Sequence, residues 1–229
     1  MPPPACEQIA STVTLRWAAS QDPSVTGLEV LRDGSLLPGA AELPPGTTGF
    51  VDRNVAPGQA HAYVVRATGR DGDSAPSNGV QAQLPLPPLR AAQFRGIYDV
   101  GLVVNDATNI ASLSGITRPS PGARRTTTWG FRPTCAPEAG ACPTRWTGRA
   151  GLLSPRAAVW SGTLSGPEAR CPDGRKVPSP IYLVLEARDA AMIGGAWNVV
   201  SFRGTYSVRF HCAGFLISRG SLDVEGRHR

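Results

Sequence analysis

Apolar residues in this chain fall on alternate positions, in short runs that glycine, proline or aspartate brings to an end. Val13-Thr14-Leu15-Arg16-Trp17 sets the pattern, with Val13, Leu15 and Trp17 on one face and polar residues on the other. A two-residue period is that of a strand with one side buried. Strands are expected likewise at Val25–Arg32, Ser35–Leu37, Phe50–Asp52, Ala60–Thr68 and Val80–Leu84. Asp33-Gly34, between the second and third of these, is a strong two-residue hairpin signal. No segment carries a helical stripe, and one helical turn is expected at most, from Ala187 to Ile193. Glycine and proline make up 48 of the 229 residues and follow no period. That excludes collagen and a single disordered tract, and fits many short strands joined by turns. The expected fold class is all-β.

Charge divides the chain in two. Residues 1–88 carry five arginines against eight acids, a net charge of −3, while residues 89–229 carry seventeen arginines and one lysine against nine acids, a net charge of +9. Pro85-Leu86-Pro87-Pro88 lies at the change, and such a proline run favours a short, stiff connection. The expected organisation is an N-terminal tail (1–7), a first domain (8–84), a linker (85–89), a second domain (90–226) and a C-terminal tail (227–229). The arginines of the second domain are scattered, and no basic helix or recognised motif accompanies them, so no nucleic-acid partner is expected. No stretch approaches the roughly 18 apolar residues of a membrane-spanning helix. Met1 to Cys6 has neither a basic n-region nor an apolar h-region and does not read as a signal peptide.

The order of motifs in the first domain is specific. Val13–Trp17 is followed by Leu28-Glu29-Val30-Leu31-Arg32-Asp33-Gly34, Pro57-Gly58, Tyr63-Val64-Val65-Arg66-Ala67, Gly72 and Ser74-Ala75-Pro76-Ser77-Asn78. This run resembles a bacterial fibronectin type III domain. The resemblance implies a β-sandwich with Trp17 at the family's core tryptophan, and a spacer or adhesion module without an active site. It is similar to modules attached to secreted glycan hydrolases and surface proteins. One departure is His61, which stands where the family commonly has a corner tyrosine.

The second domain repeats itself once. Phe94-Arg95-Gly96-Ile97-Tyr98-Asp99-Val100 matches Phe202-Arg203-Gly204-Thr205-Tyr206-Ser207-Val208 at five of seven positions. Such a repeat is either two good strands with a glycine kink or two strands at equivalent places, neighbours that close a barrel. Further strands are expected at Thr126–Phe131, Ala158–Gly162, Ile181–Ala187, Ala196–Val200 and Phe215–Ser218. The second domain is therefore expected to be a small β-barrel or β-sandwich. Trp129-Gly130-Phe131-Arg132-Pro133-Thr134-Cys135, followed by Gly140-Ala141-Cys142, resembles a Cys- and Trp-containing β-domain of actinobacterial exported proteins and sensor-kinase ectodomains.

Four of the five cysteines, Cys135, Cys142, Cys171 and Cys212, lie in this domain. Four cysteines permit three pairings. The favoured one is Cys135–Cys142 with Cys171–Cys212, worth roughly 2.5 and 4 kcal/mol on the loop-entropy model. Disulfides imply an oxidising compartment, so the chain is expected to be extracellular or at a cell surface. The alternative, a zinc site using Cys171 and His211-Cys212, lacks the close cysteine pairs typical of such sites. No metal and no cofactor are expected.

Catalytic motifs are missing: there is no nucleophile elbow, P-loop or dinucleotide fingerprint. Glu186, at the end of an apolar strand, is the acid best placed for hydrolysis, but no partner carboxylate is marked. A binding surface fits better. Trp146 is expected to be the most exposed tryptophan, because Thr144-Arg145-Trp146-Thr147-Gly148-Arg149 is polar. Arg145 and Arg149 flank it and suit acidic sugars or phosphates. The expected function is a non-catalytic exported protein that presents its second domain to a glycan or a cell-surface protein. The alternatives are a part of a polysaccharide-degrading system and a sensor ectodomain.

Overall fold

The computed structural model describes residues 11–70, 72–171, 173–212 and 217–229. Cys6 and Phe215 lie outside the described residues. The chain forms two compact units that divide between Pro87 and Pro88. The expected linker therefore ends early, because Pro88 already belongs to the second unit. Its carbonyl accepts a 3.2 Å hydrogen bond from Trp197 Nε1.

The first unit contains β1 (Val13–Arg16), β2 (Val25–Arg32), β3 (Ser35–Leu36), β4 (Gly49–Asp52), β5 (Ala60–Gly69), β6 (Gly72–Asp73) and β7 (Val80–Gln83). β1 pairs with β4 in one sheet, and β3-β2-β5 form the other, with β6 and β7 both paired to β5. Between the sheets Val13, Val30, Leu37, Ala40, Val55 and Tyr63 are buried, with Trp17 and Phe50 packed against them. The unit is thus a β-sandwich whose core comes from alternate residues of both sheets. Asp33 and Gly34 have φ of 52° and 80°. Positive φ at both central positions matches the twist of β2 and β3, as a two-residue hairpin requires. Tyr63 donates 3.0 Å to the buried Asp52, which also accepts 2.7 Å from Arg32. The buried carboxylate is thereby compensated. His61 sits 2.6 Å from Asp33.

The second unit contains β8 (Gly96–Thr108), β9 (Ser112–Leu113), β10 (Ile116–Thr117), β11 (Arg124–Pro133), β12 (Thr144–Trp146), β13 (Ser154–Arg156), β14 (Val159–Leu164), β15 (Glu168–Arg170), β16 (Lys176–Pro178), β17 (Ile181–Ile193), β18 (Ala196–His211) and β19 (Ile217–His228). Eight of these form one antiparallel sheet in the order β12-β11-β8-β19-β18-β17-β14-β13. Its two outer strands meet through Thr144 and Leu153, whose backbones exchange hydrogen bonds of 2.9 and 2.8 Å. That pair closes the sheet into an up-and-down barrel. Closure removes the exposed edges that an open sheet would present.

Three expectations are corrected. The repeated segments do not form neighbouring strands, because β8 and β18 both flank β19. Gly226 of β19 stands opposite Val100 on one side and Phe202 on the other, so the repeats are also offset along the barrel. Ala187–Ile193 is strand rather than a helical turn. It runs past a bulge to Ile193 and reverses at Gly194 and Gly195, with φ of 56° and 78°. The helix propensity of its alanines loses to pairing with β18. Finally, residues 227 and 228 belong to β19 and are not a tail. His228 stands against the Tyr98 ring, with Nε2 3.1 Å from the Arg95 carbonyl.

One end of the barrel is packed with aromatic rings. The Phe94 centroid lies between 4.8 and 5.8 Å from those of Trp160, Phe202, Phe131 and Tyr98. A Cβ at Gly226 would overlap the Phe202 ring, so the ring fits because position 226 has none. Tyr98 donates 2.8 Å to the Val199 carbonyl. Gln93, fully buried, donates through Nε2 to the carbonyls of Ala136 and Ala139 at 2.8 and 2.6 Å. It thereby fastens the Cys135–Cys142 loop at this end. The other disulfide joins Cys171 to Cys212.

Candidate functional site

The opposite end of the barrel holds a cavity of about 840 Å³. Eight strands enclose an interior that side chains can fill or that can hold one small ligand. This barrel is filled by side chains at one end and leaves a cavity at the other.

Strand alternation builds the floor. In β11, Arg125, Thr127, Trp129 and Phe131 pair with Leu102, Val100, Tyr98 and Gly96, and so face inward. In β18 the inward set includes Tyr206, Val208 and Phe210, and in β12 Trp146 stands opposite Phe131. Trp129 and Trp146 lie with ring centroids 4.4 Å apart, and Tyr206 is 6.4 Å from Trp146. Leu113, carried by the β9–β10 hairpin, reaches inward to meet Gly220, where a Cβ would come within 2.8 Å of it.

Two hairpins flank the mouth. One is β9–β10. The other is β15–β16, which Cys171–Cys212 ties to the end of β18. Cys171, Phe210 and Cys212 form a small buried cluster with Ile110, Ala169 and Val177 against it. The pairing of cysteines is thus the favoured one, and each disulfide serves a different end of the barrel.

Arginines supply the charge at the mouth. Arg125, Arg149 and Arg170 line the cavity, from β11, the β12–β13 connection and β15. Arg149 is placed by a turn. Its N–H donates 3.1 Å to the Trp146 carbonyl, and Gly148 takes φ 83°. Positive φ at the third position of such a turn favours glycine. The turn folds Arg149 back over the Trp146 ring, 5.9 Å from its centroid. Arg125 Nη1 donates 3.1 Å to the Ser114 carbonyl across the mouth. Among the described residues no carboxylate lies within salt-bridge distance of these three guanidinium groups. The one carboxylate in the lining, Glu168, pairs with Lys176 at 3.2 Å. Burial pushes the Tyr206 phenol above its ordinary range, and the nearby Arg149 charge pulls the other way.

The three residues singled out from sequence are separated. Trp146 and Arg149 come together at the mouth, while Arg145 points outward from β12, exposed. The expected exposure of Trp146 is corrected, since it retains 8% of its accessible surface. Polar neighbours at 144, 145 and 147 suggested a surface loop, but Thr144 and Trp146 both face inward from a short strand. Trp129, Trp160 and Trp197 are buried as well, so these tryptophans form no exposed platform. Sequence reasoning passed over Tyr206, Arg125 and Arg170 as site residues. A strand drawn two residues earlier than Thr126 would have put Arg125 on the face of Trp129.

Glu186 lies on β17, outside the barrel. It bonds Arg203 at 2.9 Å and Arg188 at 3.2 Å, and the Arg203 hydrogen bond holds its carboxyl below the usual range. Among the described residues no group of His, Cys, Asp and Glu could hold a metal ion. No helix of the described residues is long and apolar enough to cross a membrane. Comparisons with family models, curated proteins and solved structures returned no match to this chain.

Proposed function

We propose that this chain is a non-catalytic exported binding protein, in which the barrel takes a ligand into its mouth and a fibronectin-type-III-like module serves as the spacer. The cavity of about 840 Å³ over an aromatic floor carries this reading. Its size falls within the roughly 300–1,000 Å³ of small-molecule sites. Trp129, Trp146 and Tyr206 line its floor, where each keeps between 3% and 8% of its surface accessible. Two disulfides support an oxidising compartment and hence export. The two-sheet pairing of the first unit is compatible with the spacer reading.

Hydrolysis of a polysaccharide is less well supported, because it uses two carboxylates across a cleft. Among the described residues the lining offers Glu168 alone, and Lys176 pairs with it. Binding to the flat surface of an insoluble glycan would need exposed aromatic rings, and the tryptophans of this unit are buried.

The test is uptake of a neutral apolar probe, N-phenyl-1-naphthylamine, by the full chain. Saturable binding at one site is expected, with energy transfer from tryptophan. A chain that shows neither probe enhancement nor tryptophan quenching would overturn the pocket reading.

A further inference from the structure

We infer that the ligand of the barrel mouth is a small amphipathic organic anion, with a flat apolar body on Trp129, Trp146 and Tyr206 and an anionic head among Arg125, Arg149 and Arg170. This rests on the pocket reading above and names the chemistry of its occupant.

Three observations carry it. First, the three arginines come from three separate elements and converge on one cavity. Scattered surface arginines do not require such convergence. Second, no described carboxylate pairs with them, and Glu168 is engaged by Lys176. Elsewhere in the unit, Arg175, Arg188, Arg203, Arg219 and Arg229 each have an acid partner within 3.2 Å. Other arginines of the unit, such as Arg118, Arg132 and Arg209, also have no acid partner among the described residues, so what sets the mouth apart is that three such arginines line one cavity. Third, Arg149 is half-buried and held over an indole rather than extended into water. Withdrawing a guanidinium from solvent is costly unless a counter-charge arrives. A carboxylate, sulfonate or phosphate head would supply that charge and can accept two parallel N–H bonds from one guanidinium.

The same features argue against other occupants. A neutral sugar would leave the arginines unpaired, and a cation would be repelled by all three. A charged polymer needs an open track, whereas the β9–β10 and β15–β16 hairpins flank this mouth.

The experiment compares 8-anilinonaphthalene-1-sulfonate with N-phenyl-1-naphthylamine, which has the same ring system without the sulfonate. Both are titrated into the full chain at low salt and into its Arg149→Gln, Arg149→Lys and Arg145→Gln variants. The sulfonate should bind about tenfold more tightly than the neutral probe, the ratio that one charge-assisted hydrogen bond gives. Arg149→Gln should remove most of that preference, read as the ratio of the two affinities within the same variant. Arg149→Lys should restore part of it, and Arg145→Gln, on the outer face, should change nothing. Equal affinity for both probes, or a preference indifferent to Arg149→Gln, would overturn the anion assignment and leave the pocket standing. Uptake of neither probe would remove the pocket and this inference with it. Circular dichroism and the lysine variant separate a lost charge from a lost fold.

Discussion

The two ends of the barrel are made from the same eight strands and the same alternation, yet one is filled and the other is open. At the filled end the chain segment before β8 turns inward, and Phe94 plugs the bore among Trp160, Phe202, Phe131 and Tyr98. Gln93 then fastens the Cys135–Cys142 loop across that end. At the open end the β9–β10 hairpin sends Leu113 in as far as Gly220, and a cavity remains beside it. The aromatic floor of Trp129, Trp146 and Tyr206 faces a cavity with arginines at its rim, and a disulfide-tethered hairpin stands beside it. Strand pattern alone therefore does not decide whether a barrel end is packed core or cavity. What enters the bore from beyond the strand ends decides it.

The comparison predicts a division between stability and binding. The largest effect should come from Trp160→Ala at the filled end. Truncating this fully buried ring should cost about 3–5 kcal/mol, seen as a lower midpoint of urea unfolding. A loss below about 1 kcal/mol would mean that the filled end is not the structural core. Next, replacing Cys171 and Cys212 together by serine should cost roughly 4 kcal/mol, and replacing Cys135 and Cys142 roughly 2.5 kcal/mol, on the loop-entropy model. Only the first pair should also weaken probe uptake at temperatures where the variant remains folded. Equal effects of the two pairs on binding would break the comparison.

Tyr98→Phe should cost about 1 kcal/mol at neutral pH through loss of its hydrogen bond to Val199. Tyr98 and Tyr206 also contribute to the alkaline limit. Burial raises both phenols above the ordinary value in the folded chain. The unfolded chain thus ionises first, near pH 10, and gains stability from it. The contribution of each tyrosine is fully present below that pH and is lost as pH rises toward the folded value. Thermal midpoints should fall above about pH 10, and less steeply in the Tyr98→Phe variant, which lacks the most strongly shifted phenol. The smallest stability effect belongs to Arg149→Gln, under about 0.5 kcal/mol, although its effect on anion binding should be the largest of the set.

Much of the fold was legible from alternation. The strands of the first unit follow it closely, since most runs are bounded by a proline or glycine signal and Asp33-Gly34 fixes one hairpin. The long strands of the second unit were partly legible. The choice between barrel and sandwich was not, because closure rests on the single pair Thr144–Leu153, at strands of three residues too short to show a period. The alanines from Ala187 to Ala191 hid the continuation of β17. For the site, Trp146 and Arg149 could be found as neighbours in sequence, while Arg125, Trp129, Arg170 and Tyr206 come from three other strands that only the closed barrel brings together. Local polarity around Trp146 pointed to exposure, yet what buries a short strand is set by its partners across the bore.

The claim that one end is core and the other is a site is tested most directly by amide chemical-shift mapping of the full chain, isotopically labelled, titrated with 8-anilinonaphthalene-1-sulfonate. Shifts should concentrate at 109–115, 125–129, 146–149 and 206–210, with the amides of Gln93, Phe94 and residues 136–140 unmoved. Shifts centred on the Phe94 end or spread over the outer faces of the strands would contradict it.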